Sequence, residues 1–349
     1  MVKRVRKTAL LVLMTLSLSI GLLGCGTGTT TTTTTKAASA TTAAAATTAA
    51  AATTTAAAAT TTAAKKISIA LIPKVAVPFF DDCNTGGKTA ADKLGVEYQW
   101  MAPADTQGST QVKIIEDLIS KHVDGIGISV NEPKSVEEAI QKAIDAGIKV
   151  ITYDSDSPDS ARSMYIGTSN KAAGVTMGEE MAKACAGKGK IAIVTGQLGA
   201  NNLNERIDGI KEALAKYPDM SLIEMQGTDD DLAKAVTVVE NIFRANSDIV
   251  GIFGVSQVGG PAIAKVLAGQ EFSAMKGKIT VLAFDDLADT IQGIKDGYIS
   301  AMMVQRPITM GQLTVEHLVA QIKGEETTSA NIDTGVTVVT KDNLGSYTK

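Results

Sequence analysis

Polar side chains follow several apolar runs of the sequence, at the point where each run ends. They are Asp154 and Asp156 after the run IKVITY, Ser256 and Gln257 after DIVGIFGV, Asp285 after KITVLAF, and Gln305 after ISAMMV. Carboxylates accept hydrogen bonds from several hydroxyl groups, and amides both donate and accept. A single aspartate at a strand end often caps a turn, but the recurrence at several runs favours a site for a hydroxyl-rich ligand.

Basic and aromatic residues complete this predicted site. Arg206 lies early in the helical segment after the run KIAIVTG. It offers five N–H donors, and its positive charge would balance the charge of buried carboxylates. Lys74 follows the first apolar run, KISIALI, and Phe79 and Phe80 come after a short loop. Because a phenyl ring stacks on the apolar C–H faces of a sugar ring, these residues together predict a carbohydrate site.

The apolar runs alternate with amphipathic stretches of helical period from residue 65 onward. Such stretches are found at residues 111–121, 135–146, 172–184, 203–216, 232–245 and 261–267. Continuous apolar strands between helices are typical of βαβ units, whose parallel sheet is buried on both faces. The order occurs twice, from Ile67 to Ile166 and from Lys190 to Val304, so we predict an α/β fold with two Rossmann-like, doubly wound parallel-sheet lobes.

The two predicted lobes share the chain in alternating segments. We assign residues 66–168 and 306–334 to the N-terminal lobe, and residues 169–305 and 335–349 to the C-terminal lobe. The chain then crosses between the lobes several times, which makes a multi-strand hinge that is restrained yet mobile. Since ligands of open parallel sheets bind outside the carboxyl ends of the strands, we expect the site in the cleft between the lobes.

The beginning of the chain predicts export. A basic segment, MVKRVRK, precedes an apolar run that is shorter than the about 20 residues of a membrane-spanning helix, which is typical of a secretory signal. The order Leu22, Leu23, Gly24 and Cys25 resembles the lipobox of bacterial lipoproteins. We therefore predict that residues 1–24 are removed and that Cys25 carries a lipid anchor on the outer side of the membrane. Residues 25–65, almost wholly Thr and Ala, are predicted to be a tether.

Composition argues against several other classes of protein. A formal net charge of -4 gives no electrostatic footprint for nucleic acid. The two histidines, His122 and His317, lack a second ligand at metal spacing, so we expect no metal site. The first strand runs into Pro73, Lys74 and Pro78 without a G-x-G-x-x-G motif, so a dinucleotide would lack its phosphate cradle. We expect no cofactor and no enzyme, and an enzyme on a Rossmann-like scaffold stays as the alternative of a different class.

The chain resembles type I periplasmic binding proteins of the ribose and glucose class over nearly all of Lys66 to Tyr347. The resemblance rests on the motifs PFFDD from Pro78, ITYDSDSPDSARSMYIGTSNKAAG from Ile151, NERIDGIKEAL from Asn204, VLAFDD from Val281, IQGIKDGYISAMMVQRP from Ile291 and IDTGVTVVTKDNL from Ile332. It implies the solute-binding component of an ABC importer, which captures a glucose-like hexose or a pentose by closing its two lobes. It also implies a permease as partner, and we expect a monomer.

The resemblance carries the ligand contacts of ribose-binding members onto a set of matching positions. These are Phe79, Phe80, Asp154, Arg206, Ser256, Asp285 and Gln305. Two positions depart from the family pattern, because Ser155 stands where an arginine is expected and Ser256, followed by Gln257, where an asparagine is expected. The loss of these longer donors argues against ribose itself.

Two alternatives within the resemblance stay open. Lys74 occupies a place where receptors for furanone-type autoinducers also carry lysine, so a receptor for a sugar-derived signal such as autoinducer-2 is the first. Transcriptional regulators of the sugar-repressor type share the same core, but they need an N-terminal helix-turn-helix where this chain has its predicted signal and tether. Acylation of Cys25 would separate this second alternative from a binding protein.

Overall fold

Two parallel sheets hold the apolar runs of the sequence in the computed structural model, which describes residues 65–325 and 331–348. The strands are β1 (Ser68–Ile72), β2 (Glu97–Trp100), β3 (Gly125–Ile128), β4 (Lys149–Tyr153), β5 (Tyr165–Gly167), β6 (Lys188–Thr195), β7 (Asp219–Gly227), β8 (Ile249–Gly254), β9 (Thr280–Phe284), β10 (Ala301–Val304), β11 (Ile332–Asp333) and β12 (Thr337–Thr340). The first sheet has the order β11-β5-β4-β3-β1-β2, and the second has the order β12-β10-β9-β8-β6-β7. Only β12 among them runs antiparallel to its neighbour, β10.

Helices cover the sheets. They are α1 (Pro78–Leu94), α2 (Gly108–Ser120), α3 (Pro133–Asp145), α4 (Asn170–Ala184), α5 (Asn201–Leu214), α6 (Leu232–Ala245), α7 (Gly259–Ala268), α8 (Ala288–Lys295) and α9 (Pro307–Ile322). Three of them, α1, α3 and α9, begin with proline, whose fixed φ suits the first turn and whose missing N–H needs no partner there. Asp231 caps α6 by accepting from the main-chain N–H of Lys234 at 2.7 Å.

Each sheet has an apolar core on both faces. Ile69 and Leu71 of β1 belong to one cluster, whereas Ala70 and Ile72 of the same strand belong to another. Successive side chains of a strand point to opposite faces, so a strand with no exposed residue must be covered on both. Strand β6 divides its residues between two further clusters in the same way. The predicted doubly wound architecture is therefore present in both halves.

We call the two sheets with their helices the first lobe and the second lobe. In the described residues the chain crosses between the lobes in three segments, which follow β5, β10 and β11. After the crossing that follows β10, helix α9 returns to the first lobe and packs against α1, β3 and β4. This distribution is compatible with the lobe limits inferred from the sequence, which stay a prediction.

The predicted signal, the lipid site at Cys25 and nearly all of the tether lie outside the described residues. Within residues 65–325 and 331–348, every helix is too short or too polar to cross a membrane. The two cysteines of this part, Cys83 and Cys185, are free thiols and form no disulfide with each other.

Candidate ligand-binding site

The carboxyl ends of the strands in both lobes border one cavity. The described residues that line it are Lys74, Val75, Val77, Phe79, Phe80, Asp154, Asn202, Leu203, Arg206, Asp230, Ser256, Gln257, Asp285 and Gln305. Every residue predicted from the sequence is present in this set except Asp156. The cavity lies where open parallel sheets bind their ligands.

The cavity is narrow because the lobes are closed over it. Its volume is about 30 Å³, enough for water-sized guests, so a larger ligand enters only when the lobes separate. Lys74 Nζ donates to Asn202 Oδ1 across the cleft at 3.2 Å, and Gln257 Oε1 accepts from the N–H of Phe79 at 3.4 Å. The same side chains thus line the cavity and join the lobes.

Asp154 is the carboxylate of the first lobe. Ser129 Oγ donates to its Oδ2 at 2.7 Å, Asn202 Nδ2 of the second lobe donates to its Oδ1 at 3.4 Å, and Lys74 Nζ lies 3.8 Å from Oδ2. Lys74 is only 6% exposed, so this ion pair is shielded from solvent. The backbone of Asp154 has a φ of 56°, in the left-handed region that aspartate tolerates better than most residues.

Asp285 is the corresponding carboxylate of the second lobe. It follows β9 as Asp154 follows β4, and its φ of 66° is also left-handed. Gln305 Nε2 donates to its Oδ1 at 2.9 Å. Burial raises the pKa of Asp285 to about 6, although the Arg206 guanidinium and the Gln305 hydrogen bond oppose this rise.

Arg206 lies at the centre of the second-lobe side and is almost completely buried. Its guanidinium donates to Asn170 Oδ1 at 2.9 Å, to the main-chain oxygen of Val255 at 2.9 Å and to Gln305 Oε1 at 2.7 Å. It also stacks on the ring of Phe284, 3.8 Å from the ring centroid. Burial lowers the pKa of Arg206, and the neighbouring carboxylates Asp285 and Asp154 oppose this effect.

Aromatic and hydroxyl groups form the remaining walls. Phe79 and Phe80 meet edge to face with ring centroids 5.2 Å apart, and both rings border the cavity as well as the first-lobe core. Ser256 is buried, and its hydroxyl has no hydrogen-bond partner within the described part of the chain. A buried hydroxyl without a partner is costly, so Ser256 is suited to bind a polar group of a ligand.

Asp156 lies outside this cavity. Its carboxylate accepts from Arg162 Nε and Nη2, from Thr152 Oγ1 at 2.6 Å and from the N–H of Ser157. These bonds hold Asp156 in the loop that follows β4 within the first lobe, outside the lining of this cavity. Its role as a ligand contact stays a prediction from the sequence. The sequence offered a signal for this pairing in Arg162, six residues further along.

Two polar residues of the cavity, Asn202 and Asp230, were not predicted from the sequence. Asn202 precedes Arg206 by one helical turn on α5, a spacing that places both on one face and could have revealed it. Asp230 belongs to the run Asp229 to Asp231, which reads as a solvated helix start. Asp231 does cap α6, whereas Asp230 adopts a left-handed φ of 57° and borders the cavity.

The backbone of α4 packs closely against α5 at the turn that carries Arg206. A Cβ atom on Gly174 would lie 2.0 Å from the main-chain oxygen of Arg206, a separation that real contacts do not reach. Glycine therefore allows α4 to touch α5 at the turn that carries Arg206. Asn170, one turn earlier on α4, then reaches the guanidinium.

We expect Gly174→Ala to lower the melting temperature by roughly 2–12 °C. Overpacking of a tight contact costs about 1–3 kcal/mol, and α4 and α5 must separate to admit the methyl group. Gly345→Ala serves as the control, because a Cβ at Gly345 meets no atom within 4 Å. Thermal unfolding followed by circular dichroism measures the difference, and equal melting temperatures for the two variants would contradict the close approach of the helices.

Two parallel-sheet lobes that close over one polar cavity define a two-lobed solute-binding protein. Residues 69–326 match the family model of the periplasmic binding protein domain, and the chain belongs to the periplasmic binding protein family. This confirms the predicted fold class.

Curated relatives share the greater part of the chain. The xylose/arabinose-binding protein of Sulfolobus acidocaldarius is 28% identical over 283 residues, which are 77% of this chain and 70% of that protein. The ribose import binding protein of Escherichia coli is 27% identical over 251 residues, 71% of this chain and 82% of that protein.

Solved structures agree with this relationship. An ABC transporter solute-binding protein from Burkholderia graminis, in complex with D-arabinose, is 70% identical and superposes with a TM-score of 0.80, covering 82% of this chain and 99% of that chain. A glucose-galactose binding protein from Geobacillus stearothermophilus is 26% identical with a TM-score of 0.76, covering 80% and 99%.

The predicted class, a type I periplasmic binding protein for sugars that captures its ligand without converting it, is confirmed by these comparisons. The extracytoplasmic location and the partnership with an ABC transporter agree with the family. The lipid anchor, the monomeric state and the individual ligand contacts stay predictions.

Proposed function

We propose that this protein captures a pentose between its two lobes, with D-arabinose as the first candidate, and presents it to an ABC permease. The observation that carries the proposal is the 70% identity, over 82% of the chain, with a solute-binding protein whose structure contains D-arabinose. The likeness to a xylose/arabinose-binding protein supports a pentose as well. This narrows the wider sequence-based expectation of a hexose or a pentose.

The chemistry of the cavity supports a neutral sugar. Asp154 and Asp285 offer carboxylate oxygens to hydroxyl groups from opposite sides, and Arg206 and Lys74 offer donors to ring and hydroxyl oxygens. The rings of Phe79 and Phe80 supply the apolar surface that the C–H face of a pyranose needs. A ring with hydroxyl groups around its edge satisfies both lobes at once.

Binding from both lobes explains how capture becomes a signal for transport. A ligand that contacts both strand edges interacts fully only in the closed form, so it shifts the population toward that form. A permease that recognises the relative position of the lobes then distinguishes loaded from empty protein. We expect charge-assisted hydrogen bonds and stacking together to give a dissociation constant on the order of 1 μM, or about -8 kcal/mol.

A calorimetric panel tests the proposed ligand. D-arabinose is compared with L-arabinose, D-xylose, D-ribose, D-allose, D-glucose and D-galactose under one set of conditions. We expect D-arabinose to bind most tightly, with a dissociation constant on the order of 1 μM. Binding of D-glucose or D-galactose at least tenfold tighter than that of every pentose would overturn the proposal.

The position of Lys74 in the cavity is a reason to test one further compound alongside the sugars. Its ammonium group is buried in the cavity beside Asp154, where it could bind the additional oxygens of a furanone-type signal. Autoinducer-2 is therefore tested alongside the sugars. Tighter binding of autoinducer-2 than of D-arabinose would make the protein a signal receptor instead.

We expect the affinity for D-arabinose to fall as the pH drops below about 6. The pKa of Asp285 is raised to about 6 by burial and by the charges of Asp154 and Asp286, against the opposing effects of Arg206 and Gln305. Protonation removes an acceptor that the sugar hydroxyls need. Calorimetric titrations between about pH 5 and pH 8 should show this decline.

The free protein should respond to pH in the opposite sense. The folded-state pKa of Asp285 lies above its ordinary value of 3.8, so ionisation of this residue reduces the free energy of unfolding as the pH rises from 3.8 to about 6.

An affinity for D-arabinose that is constant between about pH 5 and pH 8 would contradict the role assigned to the Asp285 carboxylate.

The proposed anchor places the protein at the membrane. Cleavage before Cys25 and lipidation of its thiol would tie the folded lobes to the membrane through the Thr- and Ala-rich segment. Cys25→Ala should release the protein from the membrane fraction, and the mass of the mature protein should lose the acyl groups. Equal membrane retention of both forms would refute the lipid anchor.

A further inference from the structure

A buried network of hydrogen bonds lies at β5 and in the crossing segment that follows it. The hydroxyl of Tyr165 lies 2.8 Å from the main-chain oxygen of Asp154 and 3.2 Å from that of Thr168, and Asn170 Nδ2 donates to it at 3.2 Å. Tyr165 is 9% exposed and Thr168 is 1% exposed. The described residues that line the cavity include neither of them.

One end of this network supports the ligand-facing groups of both lobes through Tyr165. Its hydroxyl contacts the main-chain oxygen of Asp154, the residue whose carboxylate lines the cavity on the first-lobe side. The same hydroxyl contacts Asn170, whose Oδ1 accepts from Arg206 of the second lobe. One phenol group therefore connects residues on opposite sides of the cleft.

The ring of Tyr165 reaches this position by folding back over its own strand. A Cβ atom on Gly167 would lie 2.2 Å from the Tyr165 hydroxyl oxygen. Only glycine leaves this space, so the chain is built to hold the phenol group at the crossing.

Thr168 supports the second carboxylate through Gln305. Thr168 Oγ1 donates to Gln305 Oε1 at 2.9 Å, and this bond joins the crossing after β5 to the crossing after β10. The same Oε1 accepts from Arg206, while Nε2 donates to Asp285. With two donors on its oxygen and an acceptor on its nitrogen, the Gln305 amide has one favoured orientation.

We propose that Tyr165 and Thr168 are positioning residues that hold the ligand-facing groups of both lobes in the closed arrangement, although neither touches the ligand. The proposal rests on the proposed function, because it concerns the same cavity. Removal of either hydroxyl frees a ligand-facing group, Asp154 or Gln305, from a partner that fixes it. The closed complex then loses stability, and the ligand escapes faster.

Isosteric variants test this role with little change to the fold. Tyr165→Phe and Thr168→Val remove one hydroxyl each, and the crossing keeps its backbone bond from the N–H of Thr334 to the oxygen of Gly167. Tyr98→Phe and Thr314→Val are the matched controls, because these hydroxyls bond to Asn84 and to the oxygen of Met310 away from the cavity.

Calorimetry and stopped-flow kinetics with D-arabinose provide the measurement. We expect each crossing variant to bind roughly 3- to 10-fold more weakly, the factor that follows from losing one neutral hydrogen bond. The loss should appear in the dissociation rate, with an association rate within about twofold of the wild type. Thr168→Ser, which keeps the hydroxyl, should restore wild-type dissociation, and both controls should stay within about twofold.

The outcomes separate this proposal from the proposed ligand. If the wild type does not bind D-arabinose, the proposed ligand is wrong, and the comparison is made with the monosaccharide of the panel that binds most tightly. Wild-type dissociation rates in both crossing variants would overturn the positioning role. A loss in Thr168→Val that Thr168→Ser does not restore would overturn it for Thr168.

Discussion

Replacement of Asp285 by asparagine is expected to weaken binding of D-arabinose about 100-fold or more, while the free protein keeps or gains thermal stability. Loss of a buried partner of charge-assisted hydrogen bonds costs about 2–5 kcal/mol of binding free energy. The raised pKa of Asp285 shows that burial disfavours its ionised form in the folded protein. The neutral amide removes that penalty and can still accept from Gln305 Nε2.

Asp289→Asn is the matched control for this variant. Asp289 is an exposed acid in the first turn of α8, four residues from Asp285, so the same change there should alter neither affinity nor stability by much. Calorimetry and thermal unfolding at neutral pH give the two readouts. Retention of wild-type affinity by Asp285→Asn would remove this carboxylate from the site.

Arg206→Lys is expected to weaken binding by a similar factor and, unlike Asp285→Asn, to destabilise the fold. A lysine keeps the positive charge but not the planar fork that bonds to Asn170, the Val255 oxygen and Gln305 together. Acceptors left without donors in a buried position cost about 1–3 kcal/mol each. The stacking on Phe284 is also lost.

Arg244→Lys is the control for Arg206→Lys. Arg244 lies on the surface of the second lobe, where it pairs with Glu240 and Glu271, and exposed pairs contribute little to stability. Denaturant unfolding and calorimetry measure both effects. If Arg206→Lys binds D-arabinose and unfolds like Arg244→Lys, Arg206 organises neither the ligand nor the second lobe.

The sequence was sufficient to predict the architecture and most of the cavity, because both follow from local patterns. Apolar runs such as SIALI have no exposed face, which requires helices on both sides of a parallel sheet. In such a sheet the residue after each strand lies at one edge, so Asp285 and Gln305, which follow neighbouring strands of the second sheet, could be expected to lie near one another. Asp154 follows a strand of the other sheet, and its place opposite them follows from the expected cleft between the lobes.

The remaining features depend on contacts between distant segments. Asp154 and Asp156 are two residues apart, yet one lines the cavity and the other binds Arg162, and side-chain direction in a loop has no periodicity from which to predict it. Asp230 enters the cavity through a left-handed turn that follows β7 beside Gly196. Patterns in the linear sequence do not determine such a turn.

The left-handed backbone at Asp154 and Asp285 limits how this protein can change its preference among ligands. Aspartate, asparagine and glycine accept a φ of 56° or 66° at little cost, whereas longer or branched side chains are strained there. New specificities are therefore more accessible by substitution at Lys74, Ser256 or Gln257. Asp154 and Asp285 are therefore expected to stay unchanged while substitutions elsewhere in the pocket alter the ligand preference.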